Sequence, residues 1–256
     1  MTSGIFNGYL RLMKFILFDI DGTLIDSGGA GSGALDLAFR EMYSVEAAFR
    51  DIPMAGRTDL QIIREGLGFH GIEYSGGTIP EFSKTYTKYL AQIIDKRRGH
   101  VKAGVQEVLD RIDSCGDYML GLLTGNIEEG ARIKLEHFGL YGYFRTGAFG
   151  SDSEDRNELL PIAVEKLRRE FSLEIDFRDC FVIGDTPRDI DCAKCHGAYA
   201  VAVATGPYSS SDLSEAGADL VLNDLSDSDR LLFALQNGKG RDANNVAAQS
   251  DVVSHK

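Results

Sequence analysis

Along the chain, short, largely apolar runs alternate with longer stretches whose apolar positions recur every three to four residues. The runs Phe15–Phe18, Tyr118–Leu123, Tyr143–Phe149, Phe181–Gly184, Tyr199–Val203 and Asp219–Leu222 end in turn residues, which predicts buried strands. The periodic stretches predict helices. One carries Val105, Val108, Leu109 and Ile112. A second runs from Ile127, with Asn126 as its expected N-cap, to Phe138 and stops at Gly139. A third carries Leu159, Leu160, Ala163, Val164 and Leu167, a fourth starts at Pro187, and the last covers Leu225 to Leu235. Strand and helix alternating in this way predict a doubly wound parallel sheet, with residues 13–27 supplying its first strand and residues 100–237 the rest.

Residues 28–99 read instead as mostly helix. A first helical pattern carries Leu35, Leu37, Ala38, Phe39 and Met42. Thr58-Asp-Leu-Gln61 is a capping box opening a second, with Leu60, Ile63 and Leu67 on its apolar face. After a glycine-rich turn from Tyr74 to Thr78, Pro80 is expected at the first position of a third, which carries Phe82, Tyr86, Tyr89, Leu90 and Ile93. The predicted class is therefore α/β: a Rossmann-like parallel-sheet core with an inserted α-helical domain. Residues 1–12 and 238–256 are expected to be flexible tails.

The chemistry starts at the end of the first strand, in Phe15-Ile-Leu-Phe-Asp-Ile-Asp-Gly-Thr-Leu-Ile-Asp-Ser27. Residues two apart in an extended segment point the same way, so Asp19 and Asp21 can face one spot beyond the strand's carboxyl end. Open parallel sheets place ligands there. Two carboxylates with no base beside them invite a hard divalent cation. The net charge of −12, with no basic stripe, argues against nucleic acid or an anionic membrane as partner. No stretch reaches membrane-spanning length, and Met1 to Met13 lacks the apolar run and cleavage site of an export signal. The four cysteines are then expected to be reduced thiols, and the location cytoplasmic.

The stretch from Asp19 resembles motif I, Asp-x-Asp-Gly-Thr-Leu-x-Asp, of the haloacid dehalogenase-like hydrolases, mostly phosphatases. Later segments resemble the remaining motifs in the right order. Thr124-Gly125-Asn126, between a strand and a helix N-terminus, is similar to motif II, and backbone donors there suit an anion. Gly184-Asp185-Thr-Pro-Arg-Asp189 is similar to motif IV. Motif III is usually a lysine; here Arg156 stands in its place, with Lys166 as the alternative. The helical insert resembles the small cap of the phosphoglycolate phosphatase-like branch, and Gly56-Arg57-Thr-Asp59 its loop over the active site. The resemblance implies a Mg²⁺-dependent phosphatase. Asp19 would be the nucleophile and Asp21 the general acid and base, keeping its proton because Asp19 lies beside it. Thr124, Gly125 and Asn126 would hold the phosphoryl group, and Arg156 would balance its charge. Asp19, the Asp21 carbonyl, Asp185 and Asp189 would hold the metal. Arg57 would meet the remainder of a small phosphorylated metabolite such as phosphoglycolate. A phosphomutase of the β-phosphoglucomutase type is the alternative. A 2-haloacid dehalogenase is disfavoured because that branch usually lacks the second aspartate. Monomer and homodimer are both open.

Two further motifs invite other readings. Gly29, Gly31 and Ala34 fit the spacing of a dinucleotide-binding turn, but an acidic loop separates them from the strand, so a hinge into the insert is expected instead. Cys192-Ala-Lys-Cys195-His196 has the spacing of a c-type haem attachment. These residues are expected on the helix opened by Pro187, where cysteine packs as a small hydrophobe.

Overall fold

The computed structural model describes residues 13–238 except 74 and 97, so the expected tail 1–12, the expected tail 238–256 apart from Gly238, and Tyr74 of the glycine-rich turn lie outside the described residues. Its sheet is built around β1 (Lys14–Phe18), every residue of which is buried. The other strands are β4 (Tyr118–Thr124), β5 (Thr146–Phe149), β6 (Cys180–Gly184), β7 (Tyr199–Val203) and β8 (Leu220–Leu222), all parallel, in the order β5-β4-β1-β6-β7-β8. The chain thus steps outward from β1 in both directions. The strand order reverses at β1, and a crevice opens beyond the carboxyl ends of β4, β1 and β6.

Alternation along β1 divides the core in two. Ile16 and Phe18 join a cluster with α4 (Val105–Asp113), α5 (Glu128–His137) and α9 (Ser228–Asn237). Phe15 and Leu17 pack on the opposite face with α6 (Leu159–Phe171), α7 (Pro187–Lys194) and α8 (Ser210–Glu215). Burial on both faces explains why β1 reads as a continuous apolar run.

A two-stranded antiparallel ribbon joins core to insert: β2 (Ile25–Asp26) pairs with β3 (His100–Val101). Between them lie α1 (Ala30–Tyr43), α2 (Asp59–Phe69) and α3 (Thr78–Ile93), with a separate hydrophobic cluster around Phe39, Phe49, Phe82 and Tyr86. Gly28 and Gly29 have φ of +61° and +76°, and this left-handed turn starts the insert. Gly31 and Gly33 fall inside α1, not in a turn.

Three expectations shift. Pro80 sits two residues inside α3, which starts at Thr78; it still lies in the first turn, where its missing N–H has no intrahelical acceptor to lose. The strand expected from Tyr143 begins only at Thr146, because residues 141–143 form a 3₁₀ turn. The last helix starts at Ser228, not Leu225.

Candidate active site

Asp19 follows β1 directly, and its backbone N–H donates to Ile183 O at 2.9 Å, which continues the sheet ladder past the last strand residue. Its carboxylate is buried. Asp185 follows β6 in the same way, and Thr124 ends β4. Three neighbouring strands therefore deliver these groups to one place. Gly22 lets the chain turn there: its φ is +88°, and a side chain on it would stand 2.8 Å from Asp185 Oδ1.

One oxygen each from Asp19, Asp185 and Asp189 lies within 4.8 Å of the others. The guanidinium of Arg156 meets Asp19 Oδ1 at 3.2 Å and also pairs with Asp189. The other Asp189 oxygen accepts from the Thr186 N–H and hydroxyl, at 3.0 and 2.8 Å. Asp189 is thus occupied with Arg156 and with capping α7. Three buried carboxylates against one guanidinium leave excess negative charge out of water. Burial raises Asp19 despite Arg156, and burial followed by Asp19 and Asp189 raises Asp185. An all-oxygen, charge-rich, buried set of this kind fits a hard divalent cation.

Arg156 lies in a 3₁₀ turn, residues 156–158, whose N-cap Asp155 accepts from Asn157 N. The Cys192 thiol donates to the Arg156 carbonyl at 3.1 Å, and the His196 ring bonds Asn157 O at 2.7 Å. The cysteine–histidine motif therefore braces the turn that presents Arg156. Lys166, the alternative for that position, reaches Asp152 at 2.7 Å away from the carboxylates.

Asp21 belongs to a second group. Its carboxylate accepts from Lys134 Nζ at 2.5 Å, Asn126 Nδ2 at 2.9 Å and Ser27 Oγ at 3.2 Å. Burial pushes Asp21 up, but Lys134 and these bonds outweigh it and hold the carboxylate below its ordinary range. This corrects the expectation that Asp21 keeps a proton: its carboxylate meets Lys134 and amide donors and is not grouped with the other three. Asn126 is corrected too. It is not the cap of α5; its amide bridges Asp21, Thr124 and Lys134, and the Ile127 N–H is taken by Asp59 of the insert at 2.9 Å.

That last bond is one of several between insert and core. The Asp59 N–H donates to Gly125 O at 2.7 Å, the Thr58 hydroxyl to Glu154 O at 3.1 Å, and Arg156 to Gly56 O at 3.2 Å. Gly125 must be glycine because a side chain there would collide with the Arg57 carbonyl. Arg57 lines the cavity, but its guanidinium pairs with Glu65 and donates to Pro53 O. Core and insert enclose a cavity of about 460 Å³, with Asp19, Asp21, Thr124 and Arg156 on the core side.

Sequence reasoning missed Lys134 and gave no role to Tyr86, read only as an apolar helix position, or to Asp59, read only as part of the loop over the site; all three line this cavity. A signal for Lys134 was present: Ile127, Ala131, Lys134 and Leu135 fall on one helical face, and each is buried. Buried lysine on such a face calls for a partner.

A profile of the haloacid dehalogenase-like hydrolase family matches residues 13–197. The chain belongs to that family. Among curated proteins it is similar to the phosphoglycolate phosphatases of Vibrio cholerae serotype O1 (26% identical, covering 84% of this chain and 95% of the relative) and Vibrio vulnificus (27%, covering 83% and 93%). Among solved structures, one described as a predicted phosphatase from Clostridium acetobutylicum superposes with a TM-score of 0.66 at 20% identity, covering 87% of this chain and 99% of that one.

Proposed function

We propose that the chain is a Mg²⁺-dependent phosphatase acting on a small phosphate monoester through an aspartyl-phosphate at Asp19, with phosphoglycolate the first substrate to try. The observation that carries this reading is the meeting of Asp19, Thr124, Asp185 and Arg156 beyond three adjacent strand ends, with the three buried carboxylates in excess over the guanidinium. Asp19 and Asp185, with the Asp21 carbonyl, would hold Mg²⁺, and Asp189 would stand behind them. Bound there, the cation would offset the negative charge of the phosphoryl group.

The chain's own groups then divide the work. An Asp19 oxygen attacks phosphorus as the bond to the ester oxygen breaks. Arg156 fixes Asp19, and the Thr124 hydroxyl and the Gly125–Asn126 backbone face the phosphoryl oxygens. Asp21 passes a proton to the leaving oxygen, then takes one from the water that cleaves the acyl phosphate. Because Lys134 keeps Asp21 ionised at rest, that first proton comes from the substrate; a phosphate monoester near its second pKa of about 6 carries one. The relatives named as phosphoglycolate phosphatases support the choice of substrate.

The test is a screen of phosphate monoesters for phosphate release with Mg²⁺ and again with chelator. Turnover that stops on chelation and returns with Mg²⁺ is expected. Undiminished turnover in chelator would remove the metal from the reading. A sugar phosphate converted to its isomer without phosphate release would replace hydrolysis by mutase chemistry.

A further inference from the structure

Where α5 of the core meets the insert, three kinds of hydrogen-bond donor converge on one spot. Tyr86 is 1% exposed and lines the cavity, yet its hydroxyl has no hydrogen-bond partner among the described residues. Lys134 also lines the cavity, and among the described residues only Asp21 and Asn126 accept from its three ammonium protons. The third contributor is the first turn of α1. Its N-cap Gly29 offers no side-chain acceptor, and among the described residues the backbone N–H groups of Gly31 and Ser32 find none. A side-chain carbon on Gly31 would stand 3.2 Å from Lys134 Nζ and 3.9 Å from Tyr86 Oη. Ammonium, hydroxyl and helix N-terminus therefore face one small space, which exists because residue 31 is glycine.

Donors dominate this space. Of the acids nearby, Asp21 is already bound to Lys134, and Asp59 accepts the Ile127 N–H and is pushed up by burial. The tyrosine hydroxyl and the two helical N–H groups, half-buried at Gly31 and Ser32, are donors that an acceptor on the substrate can satisfy together. The aligned peptide dipoles of α1 favour that acceptor being an anion. Arg57, the cation that the insert contributes to the cavity lining among the described residues, is paired with Glu65.

We propose that Tyr86, Lys134 and the N-terminus of α1 form a subsite for a carboxylate carried on the leaving group of the phosphate ester. The proposal rests on the phosphatase reading for its orientation. Asp21 marks the leaving oxygen, and Lys134 touches Asp21 at 2.5 Å. A carboxylate one carbon beyond the ester oxygen is placed to reach the ammonium. The tight space beside Gly31 favours a planar carboxylate over a bulkier second phosphate.

The test measures binding, so it does not depend on turnover. The protein with Mg²⁺ would be titrated calorimetrically with 3-phosphonopropionate and with propylphosphonate, which differ by the carboxylate. The wild-type protein should bind the first about tenfold more tightly or better, as expected for one or two well-made hydrogen bonds to a charged group. Tyr86→Phe should reduce that ratio several-fold while leaving propylphosphonate unchanged, and Gly31→Ala, which fills the space, should abolish it. A wild-type ratio near one, or a ratio unmoved by both variants, overturns the subsite. Tighter binding of ethane-1,2-diylbisphosphonate than of 3-phosphonopropionate overturns the assignment to a carboxylate. Failure of the phosphatase reading would show instead in the monoester screen.

Discussion

The end of the cavity beyond the sheet and the end against the insert are furnished in different ways. On the core side, three buried carboxylates meet one guanidinium, and the excess is negative. Where the core helix α5 meets the insert, Lys134, Tyr86 and the start of α1 present donors, and the nearby carboxylates of Asp21 and Asp59 accept from Lys134 and the Ile127 N–H. The first arrangement would suit a divalent cation beside a phosphoryl group, and the second would suit whatever else the substrate carries. If the proposed function holds, chemistry common to every monoester would belong to the sheet, and discrimination between esters to its contact with the insert.

The contrast is broken most severely at Asp19. Asp19→Asn should reduce turnover of every monoester to background, while Asp21→Asn should leave a residue of activity, down by about 10²–10⁴, the usual size of a lost acid–base role. Comparable kcat for wild type and either variant would contradict those roles. Next comes Arg156. Arg156→Ala should lose about 10²–10³ in kcat, Arg156→Lys much less, and Lys166→Ala almost nothing, because Lys166 is bonded to Asp152. An inert Arg156→Ala with a dead Lys166→Ala would reverse the assignment.

Legibility in the sequence follows the same division. Asp19, Thr124 and Asp185 lie on or beside strands whose apolar runs are unambiguous, so order and periodicity alone bring them together. The insert side is built from contacts between distant segments. Tyr86 reads as one more apolar position of α3, and it is one, until its hydroxyl is seen facing the cavity. Asn126 was misassigned because the preference of Asn for an N-cap is local, whereas the acceptor used at Ile127 comes from Asp59, far back in the chain. Arg57 was legible as a charge near the site, but not its partner Glu65, two turns along α2.

Smaller effects sharpen the comparison on the insert side. Asp59 is raised by burial from 3.8 to about 6, so the fold favours its protonated form. Its contribution to stability is full below about pH 4 and is lost as pH rises through about 6. Melting curves of metal-free protein should show this as a downward slope in Tm that is shallower, by a few degrees across that window, in Asp59→Asn, whose amide oxygen can still accept from Ile127. Identical slopes would mean that Asp59 is not held in the fold as described. Arg57→Ala is expected to do least, changing kcat/KM for phosphoglycolate and an uncharged aryl phosphate by a similar factor of a few. A loss confined to phosphoglycolate would return Arg57 to the role of anion receptor.

The central claim is that phosphorus is transferred to Asp19. It is tested by mixing the enzyme and Mg²⁺ with a good substrate, quenching in acid within the first turnovers, and mapping covalent phosphate by mass spectrometry. The account predicts a hydroxylamine-labile phosphoryl group on the peptide carrying Asp19, absent from Asp19→Asn. Full turnover with the phosphoryl group on another residue, or on none, would contradict it.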